Sequence, residues 1–170
     1  SKSLPTSRRD ANFRHWANII RGAHTKKKIL AYSLYGSDRR YTDGALANSK
    51  LYHKIYPDWD MRVYHDKTVP ESIINELRNN GVDLVDMTGS PLNKMSWRFL
   101  PASDSEVDRF CARDIDSRLS NREKAAVDEW LASDRGLHIM RDHPWHGYPV
   151  LGGMWGAKAG TIPKMKELIA

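Results

Sequence analysis

"EVDRFCARDID" (residues 106–116) carries an apolar run into two aspartates one residue apart, and whether it is a strand decides the fold. As a strand it ends on Asp114-Ile115-Asp116, with Arg113 before the pair and Arg118 after it. Residues two apart in a strand point to one side, which puts both carboxylates together. Two carboxylates so placed repel unless a cation lies between them. Their hard oxygens suit Mg²⁺ or Mn²⁺, ions that usually complete their shells with water and substrate phosphates. Alone, the doublet is weak, because an ordinary surface turn carries the same residues. Its position in the chain gives it weight.

Upstream, "KKKILAYSLYG" (26–36) is a compact apolar run closed by Gly36 and reads as the first strand. A helix over 42–56 has Ala45, Leu46, Leu51 and Ile55 at inward positions and stops at Pro57. "DMRVYHD" (60–66) is a second strand, Pro70 opens the helix "PESIINELRNN", and "VDLVDM" (82–87) is a third strand after Gly81. "NKMSWRFLPAS" (93–103) reads as a helix broken at Pro101 and leads into the Asp-Ile-Asp strand. Downstream, Ser120 and Glu123 form a capping-box pattern for the helix "SNREKAAVDEWLAS", with Ala126, Val127, Trp130 and Leu131 facing the core. "LHIMRD" (137–142) is a further strand, and 143–169 reads as a Gly/Pro/Trp-rich loop feeding a final helix. Alternating strands and helices predict an α/β fold with a mainly parallel central sheet flanked by helices.

Composition frames this reading. The chain has 170 residues, 40% hydrophobic and 28% charged, which are globular proportions. Its net charge of +6 concentrates early, in "SRR", "RGAHTKKK" and "DRR", and favours an anionic partner without choosing one. The single cysteine, Cys111, allows no internal disulfide and reads as a buried structural thiol. No stretch approaches the ~20 apolar residues of a membrane span. The expected setting is cytoplasmic, with peripheral membrane contact through the basic N-terminus as an option. Residues 9–22 place Phe13, Trp16, Ala17 and Ile20 at helical spacing. The expected organisation is thus a basic segment with a short packed helix over 1–27, then one domain over 28–170.

In open α/β sheets, ligands bind in the crevice beyond the carboxyl ends of the strands. "YSLYGSD" (32–38) and "RDID" (113–116) both finish strands there. With "SWRFLPASDSEVDRFCARDID" and the later "PVLGGMWGA", these stretches resemble the GT-A fold, nucleotide-sugar-dependent glycosyltransferases, over roughly residues 28–160. The resemblance implies a sugar transferred from a UDP- or GDP-sugar to a glycan, lipid or protein acceptor, with Mn²⁺ or Mg²⁺ as cofactor. It implies that the sheet is a Rossmann-like nucleotide-binding half, that Tyr32, Ser33, Leu34 and Tyr35 line the base and ribose pocket and that Arg98 approaches the diphosphate. Asp114 and Asp116 become the metal and ribose contacts, with Asp116 the direct ligand. Gly152, Gly153, Met154 and Trp155 fall on the sugar and acceptor side. Many members take a further metal ligand, often a His, from a segment beyond that loop. This sequence ends one helix after it, so the expectation is either a truncated or minimal version, or a nearer residue such as His143 or His146 as substitute ligand.

"HIMRDHPWHGYP" (138–149) adds candidates. His138 reads as packed within a strand pattern, whereas Asp142 and His143 begin the loop on the strand-end side and are candidate catalytic groups. Asp38, Arg39 and Arg40 form a polar turn that is either solvated or a phosphate-facing edge. No G-x-G-x-x-G, no G-x-x-x-x-G-K-[ST] and no G-x-S-x-G occurs, which argues against dinucleotide, P-loop and acyl-hydrolase sites. Two other classes stay open: a metal-assisted nucleotidyltransferase or nuclease, and a basic nucleic-acid-binding module. The first wants a further strand-end carboxylate and the second a continuous basic face with exposed aromatics. Neither pattern is evident, and nucleic acid is not an expected partner.

Overall fold

The computed structural model describes residues 26–141, 144, 145 and 147–170. Among the described residues six strands form one sheet: β1 (Lys27–Leu34), β2 (Asp60–His65), β3 (Asp83–Asp86), β4 (Val107–Arg113), β5 (Leu137–Ile139) and β6 (Met154–Lys158). Their order across the sheet is β3-β2-β1-β4-β6-β5. β1 to β4 pair in parallel, while β6 runs antiparallel to both β4 and β5. The α/β class with a mostly parallel sheet flanked by helices is therefore observed, in a mixed version. The helix expected at 9–22 lies outside the described residues, as does the segment 1–25 that contains it.

β6 is the main departure from the sequence reading, which took its residues as loop. Gly156 explains why a glycine-rich stretch serves as a strand here. A Cβ at this position would lie 2.5 Å from the Phe110 carbonyl oxygen and 2.9 Å from Cys111 Sγ. The residue that looks like a strand breaker is instead what lets β6 pack against β4.

Helices cover both faces. α1 (Arg39–Ile55) starts at Asp38, whose carboxylate accepts from Arg40 N at 2.8 Å. Its buried face is small and polar: Thr42, Gly44, Ala45, Asn48, Ser49 and Tyr52. The expected inward residues Leu46, Leu51 and Ile55 are only half-buried. α2 (Glu71–Asn79) follows Pro70 and is stopped before Gly81, which takes φ +80. The segment Lys94–Ser103 is a 3₁₀ helix rather than an α-helix; Pro101 within it has no N–H to give an α-helical bond. α3 (Asn121–Leu131) is capped by Ser120, whose hydroxyl accepts from Glu123 N at 3.3 Å. A last turn, α4 (Met165–Leu168), ends the chain's regular structure.

Two cores sandwich the sheet. One gathers Leu30, Tyr32, Leu34, Met61 and Cys111 with Ala45 and Tyr52 of α1, Ile74 and Leu77 of α2, and Val127 and Trp130 of α3. The other gathers Ile29, Ala31, Phe110 and Trp155 with Trp97 of the 3₁₀ helix and Met165 of α4. Cys111 is fully buried, and burial pushes its thiol up to about 11, so it is an inert apolar-like group.

Arg113 ends β4 and is only 5% exposed. Its Nε pairs with the Glu123 carboxylate, and its Nη1 donates to the carbonyls of Ala112 (2.8 Å) and Trp155 (3.2 Å). One guanidinium thus fastens β4 to β6 and α3. Removing one partner of a buried pair strands the other charge, at a cost of about 3–5 kcal/mol. Glu123→Ala is expected to lower the urea unfolding free energy by roughly that range, and a loss below about 1 kcal/mol would show that Arg113 does not depend on this partner.

Candidate functional site

The strand order reverses direction between β1 and β4. From β1 the chain builds leftward through β2 and β3, then returns to lay β4 on the other side of β1. The chain thus leaves these two neighbouring strands in opposite directions along the sheet, and α/β sheets bind ligands beyond the carboxyl ends of their strands at such a point. A cleft of about 370 Å³ lies there. Ser33, Leu34 and Tyr35 line it from the end of β1, Tyr41 from the first turn of α1, Met95 and Arg98 from the 3₁₀ helix, and Asp114, Ile115 and Asp116 from the turn after β4.

Arg98 organises the cleft. It is 8% exposed, and its Nη1 donates to Asp114 Oδ1 at 2.5 Å and to the Arg113 carbonyl at 3.2 Å. Its backbone N donates to Ser33 Oγ at 3.1 Å. This one residue therefore ties the 3₁₀ helix to the ends of both central strands. Asp116 sits in the same cleft, with Oδ2 2.6 Å from Arg40 Nη2. Ile115 between them is buried in the first core, so the two carboxylates share a side because the middle residue anchors inward. A turn bond from Ser117 N to the Asp114 carbonyl (3.1 Å) closes the loop.

Neighbouring backbone is shaped around this turn. Gly153 packs so close to the Asp114 carboxylate that a Cβ would collide with both of its oxygens, and a Cβ on Gly152 would lie 2.8 Å from Arg98 Nη2. Gly44 gives α1 the same access, since a Cβ there would collide with the Ile115 carbonyl. The fully buried Asn48 donates to the carbonyls of Ile115 (3.2 Å) and Ser117 (2.8 Å) and accepts from Leu119 N (3.2 Å). The Asp-Ile-Asp turn is thus held from three directions.

On the open side, Tyr35 and Tyr41 are 37% and 39% exposed and offer two aromatic faces. Tyr35 rests edge-on against Trp97, with the Lys94 ammonium 5.5 Å from its ring centre. Such a wall suits a flat, polar-edged ring. A second space of about 610 Å³ adjoins the cleft across Arg98 and Asp114, and Gly152, Gly153 and Met154 line it together with Arg118 and Arg122.

Several expected site residues lie elsewhere. Tyr32 does not line the pocket: it is fully buried in the first core, where burial holds its hydroxyl proton well above the ordinary range. Trp155 is no sugar platform, being 7% exposed and packed edge-on against Phe110 at 5.1 Å. His138, expected to be packed, is so: it stacks on Trp130 at 5.4 Å, and burial lowers its imidazole to about 4, so it is neutral near pH 7. Asp142, His143 and His146 lie outside the described residues. Conversely, Tyr41 and Met95 line the cleft without having been read from the sequence as site residues. Only a helix start beside the strand end marks Tyr41.

Both carboxylates fit a divalent cation by donor chemistry. Asp114 meets Arg98 through Oδ1 and Asp116 meets Arg40 through Oδ2, which leaves Oδ2 and Oδ1 respectively outside those ion pairs. Among the described residues no group of three or more His, Cys, Asp or Glu is gathered for a metal. Further ligands would come from water and substrate, the ordinary mode for Mg²⁺. No protein-family model matches the chain, and no curated protein matches it.

Gly153→Ala is expected to displace the Asp114 carboxylate and cost about 1–3 kcal/mol, as overpacking typically does. Gly147→Ala, where a Cβ would meet nothing within 4 Å, is the control and should stay within about 0.5 kcal/mol. Equal midpoints for the two variants in urea would remove the close approach at Gly153 from the account.

Proposed function

We propose that the chain is a metal-dependent glycosyltransferase of GT-A type, which moves a sugar from a nucleoside-diphosphate donor to an acceptor hydroxyl. The observation that carries this reading is the convergence of Ser33–Tyr35, Arg98, Asp114 and Asp116 on one cleft at the switch between β1 and β4. Tyr35 and Tyr41 suit the base, and Ser33 and the strand-end backbone suit the ribose. Asp114 and Asp116 would hold Mn²⁺ or Mg²⁺, which supplies positive charge to the diphosphate when bound.

The residues explain how a leaving diphosphate is stabilised. In the transfer, the bond between the anomeric carbon and the phosphate oxygen breaks, and its electron pair stays on the diphosphate. Arg98 is already immobilised beside that position, and Arg40 stands at the cleft's other carboxylate. Preorganised cations of this kind are worth most in transfer chemistry because they need no reorganisation as charge develops. The acceptor oxygen forms the new bond to the anomeric carbon as its proton leaves to solvent. Absence of an apolar helix long enough to cross a membrane, among the described residues, is compatible with a soluble or a surface-bound enzyme.

Thermal-shift titration with UDP and with GDP, each with and without Mn²⁺, tests this directly. One nucleoside diphosphate should raise Tm only with the metal, and Asp116→Asn should remove that metal-dependent part while leaving the ligand-free Tm within a few degrees. Asp114→Asn should act less completely. Metal-independent binding that both variants retain would return the pair to a surface turn.

A further inference from the structure

One carboxylate does not line the cleft, yet its bonds surround the cleft's aromatic wall. Asp66 directly follows β2 and is 7% exposed. Its Oδ1 accepts from Thr68 N at 3.0 Å and from the Thr68 hydroxyl, and its Oδ2 meets the Lys94 ammonium at 2.6 Å. Burial pushes this carboxyl up, but the bonds from Lys94 and Thr68 outweigh it and hold the group below the ordinary carboxylate range. Asp66 is therefore ionised near pH 7, and an ionised carboxylate can only accept.

That fixes the direction of the next bond. A hydroxyl has one proton, and Thr68 gives its proton to Asp66, which leaves its lone pairs for another donor. That donor is Gly36 N, at 2.7 Å. Gly36 directly follows Tyr35 and takes φ +75 where the chain turns from β1 toward α1. On the ring side, the same carboxylate holds the Lys94 ammonium, which stands 5.5 Å from the centre of the Tyr35 ring. Asp66 thus reaches Tyr35 from two directions, through the backbone that follows it and through the cation over its ring.

We propose that Asp66 is a positioning residue for the nucleotide base: through Thr68 and Lys94 it presets the Tyr35 wall without touching the ligand. The base role rests on the transferase reading above, whereas the hold on the turn after β1 rests on the hydrogen bonds alone. A ring already fixed in place binds a base better, because an aromatic that must be ordered on binding gives back part of the stacking energy. The effect is confined to one end of the donor, since in that reading the diphosphate end belongs to Arg98 and the two aspartates.

Calorimetric titration of UDP, GDP and inorganic pyrophosphate, each with Mn²⁺, into the wild-type chain and the variants D66A, T68V and T68S tests this. Thr68 is exposed, so T68V keeps the fold even where D66A does not. D66A and T68V should weaken whichever nucleoside diphosphate the wild type binds by about three- to tenfold, the scale of one lost hydrogen bond, while pyrophosphate moves less than about twofold. T68S keeps the hydroxyl and should stay within about twofold of wild type. Amide hydrogen exchange read by NMR gives a ligand-free measure: the Gly36 N–H should exchange faster in T68V and at the wild-type rate in T68S. Equal loss of nucleotide and pyrophosphate, unchanged nucleotide affinity in T68V, or Gly36 exchange indifferent to Thr68 overturns the proposal. If neither UDP nor GDP binds the wild type while Gly36 exchange still follows Thr68, the transferase reading falls and the base role falls with it, leaving Asp66 an anchor of the β1 turn alone.

Discussion

A buried guanidinium must be paired where it lies, and at the cleft that guanidinium is the one of Arg98. Its side chain bonds the end of β4 through Asp114 and the Arg113 carbonyl, and its main chain bonds Ser33 at the end of β1. An unpaired charge at 8% exposure would be strongly unfavourable, so the 3₁₀ helix, β1 and β4 are constrained to meet at one place. The same constraint fixes the cleft. The position of Asp114 is therefore set by the needs of the scaffold, and it stands ready before any ligand arrives.

Around that point the chain repeatedly gives up side-chain bulk. Gly44, Gly152 and Gly153 each sit where a Cβ would crowd the Asp-Ile-Asp turn or Arg98. The Asn48 side chain bonds the backbone of Ile115, Ser117 and Leu119. The inward face of α1 is consequently small and polar instead of the leucine-rich face common to packed helices. Such investment holds a loop in one conformation, and loops held rigidly on a scaffold are where binding groups are usually carried.

Much of the cleft was legible in the sequence through two general rules. Strand–helix alternation predicts a parallel sheet, and ligands gather at the carboxyl ends of its strands, which brings residues 33–35 and the two aspartates together, whereas Arg98 entered only through the family resemblance. Tyr32 was misread for a physical reason: Ile29 to Leu34 is buried at every position but Ser33, and a strand buried on both faces has lost the alternation that tells its sides apart. β6 was hidden because Gly152, Gly153 and Gly156 look like loop residues, whereas here they answer to close approach. Trp155 followed the same error, since an aromatic in a loop suggests a platform and an aromatic in a central strand belongs to the core. Glu123 fits a capping-box pattern, yet its carboxylate turns to Arg113, a partner no local pattern could reveal. Arg40 was left between a solvated turn and a phosphate-facing edge because only tertiary structure brings it to Asp116.

A crystal structure of the protein grown with UDP or GDP and Mn²⁺ tests the central claim most directly. The account predicts the base between the end of β1 and Tyr41, the diphosphate beside Arg98, and a metal bridging the diphosphate to Asp116 and Asp114. A nucleotide bound away from the β1–β4 crevice, or a diphosphate in the crevice with its metal held by neither aspartate, would contradict it.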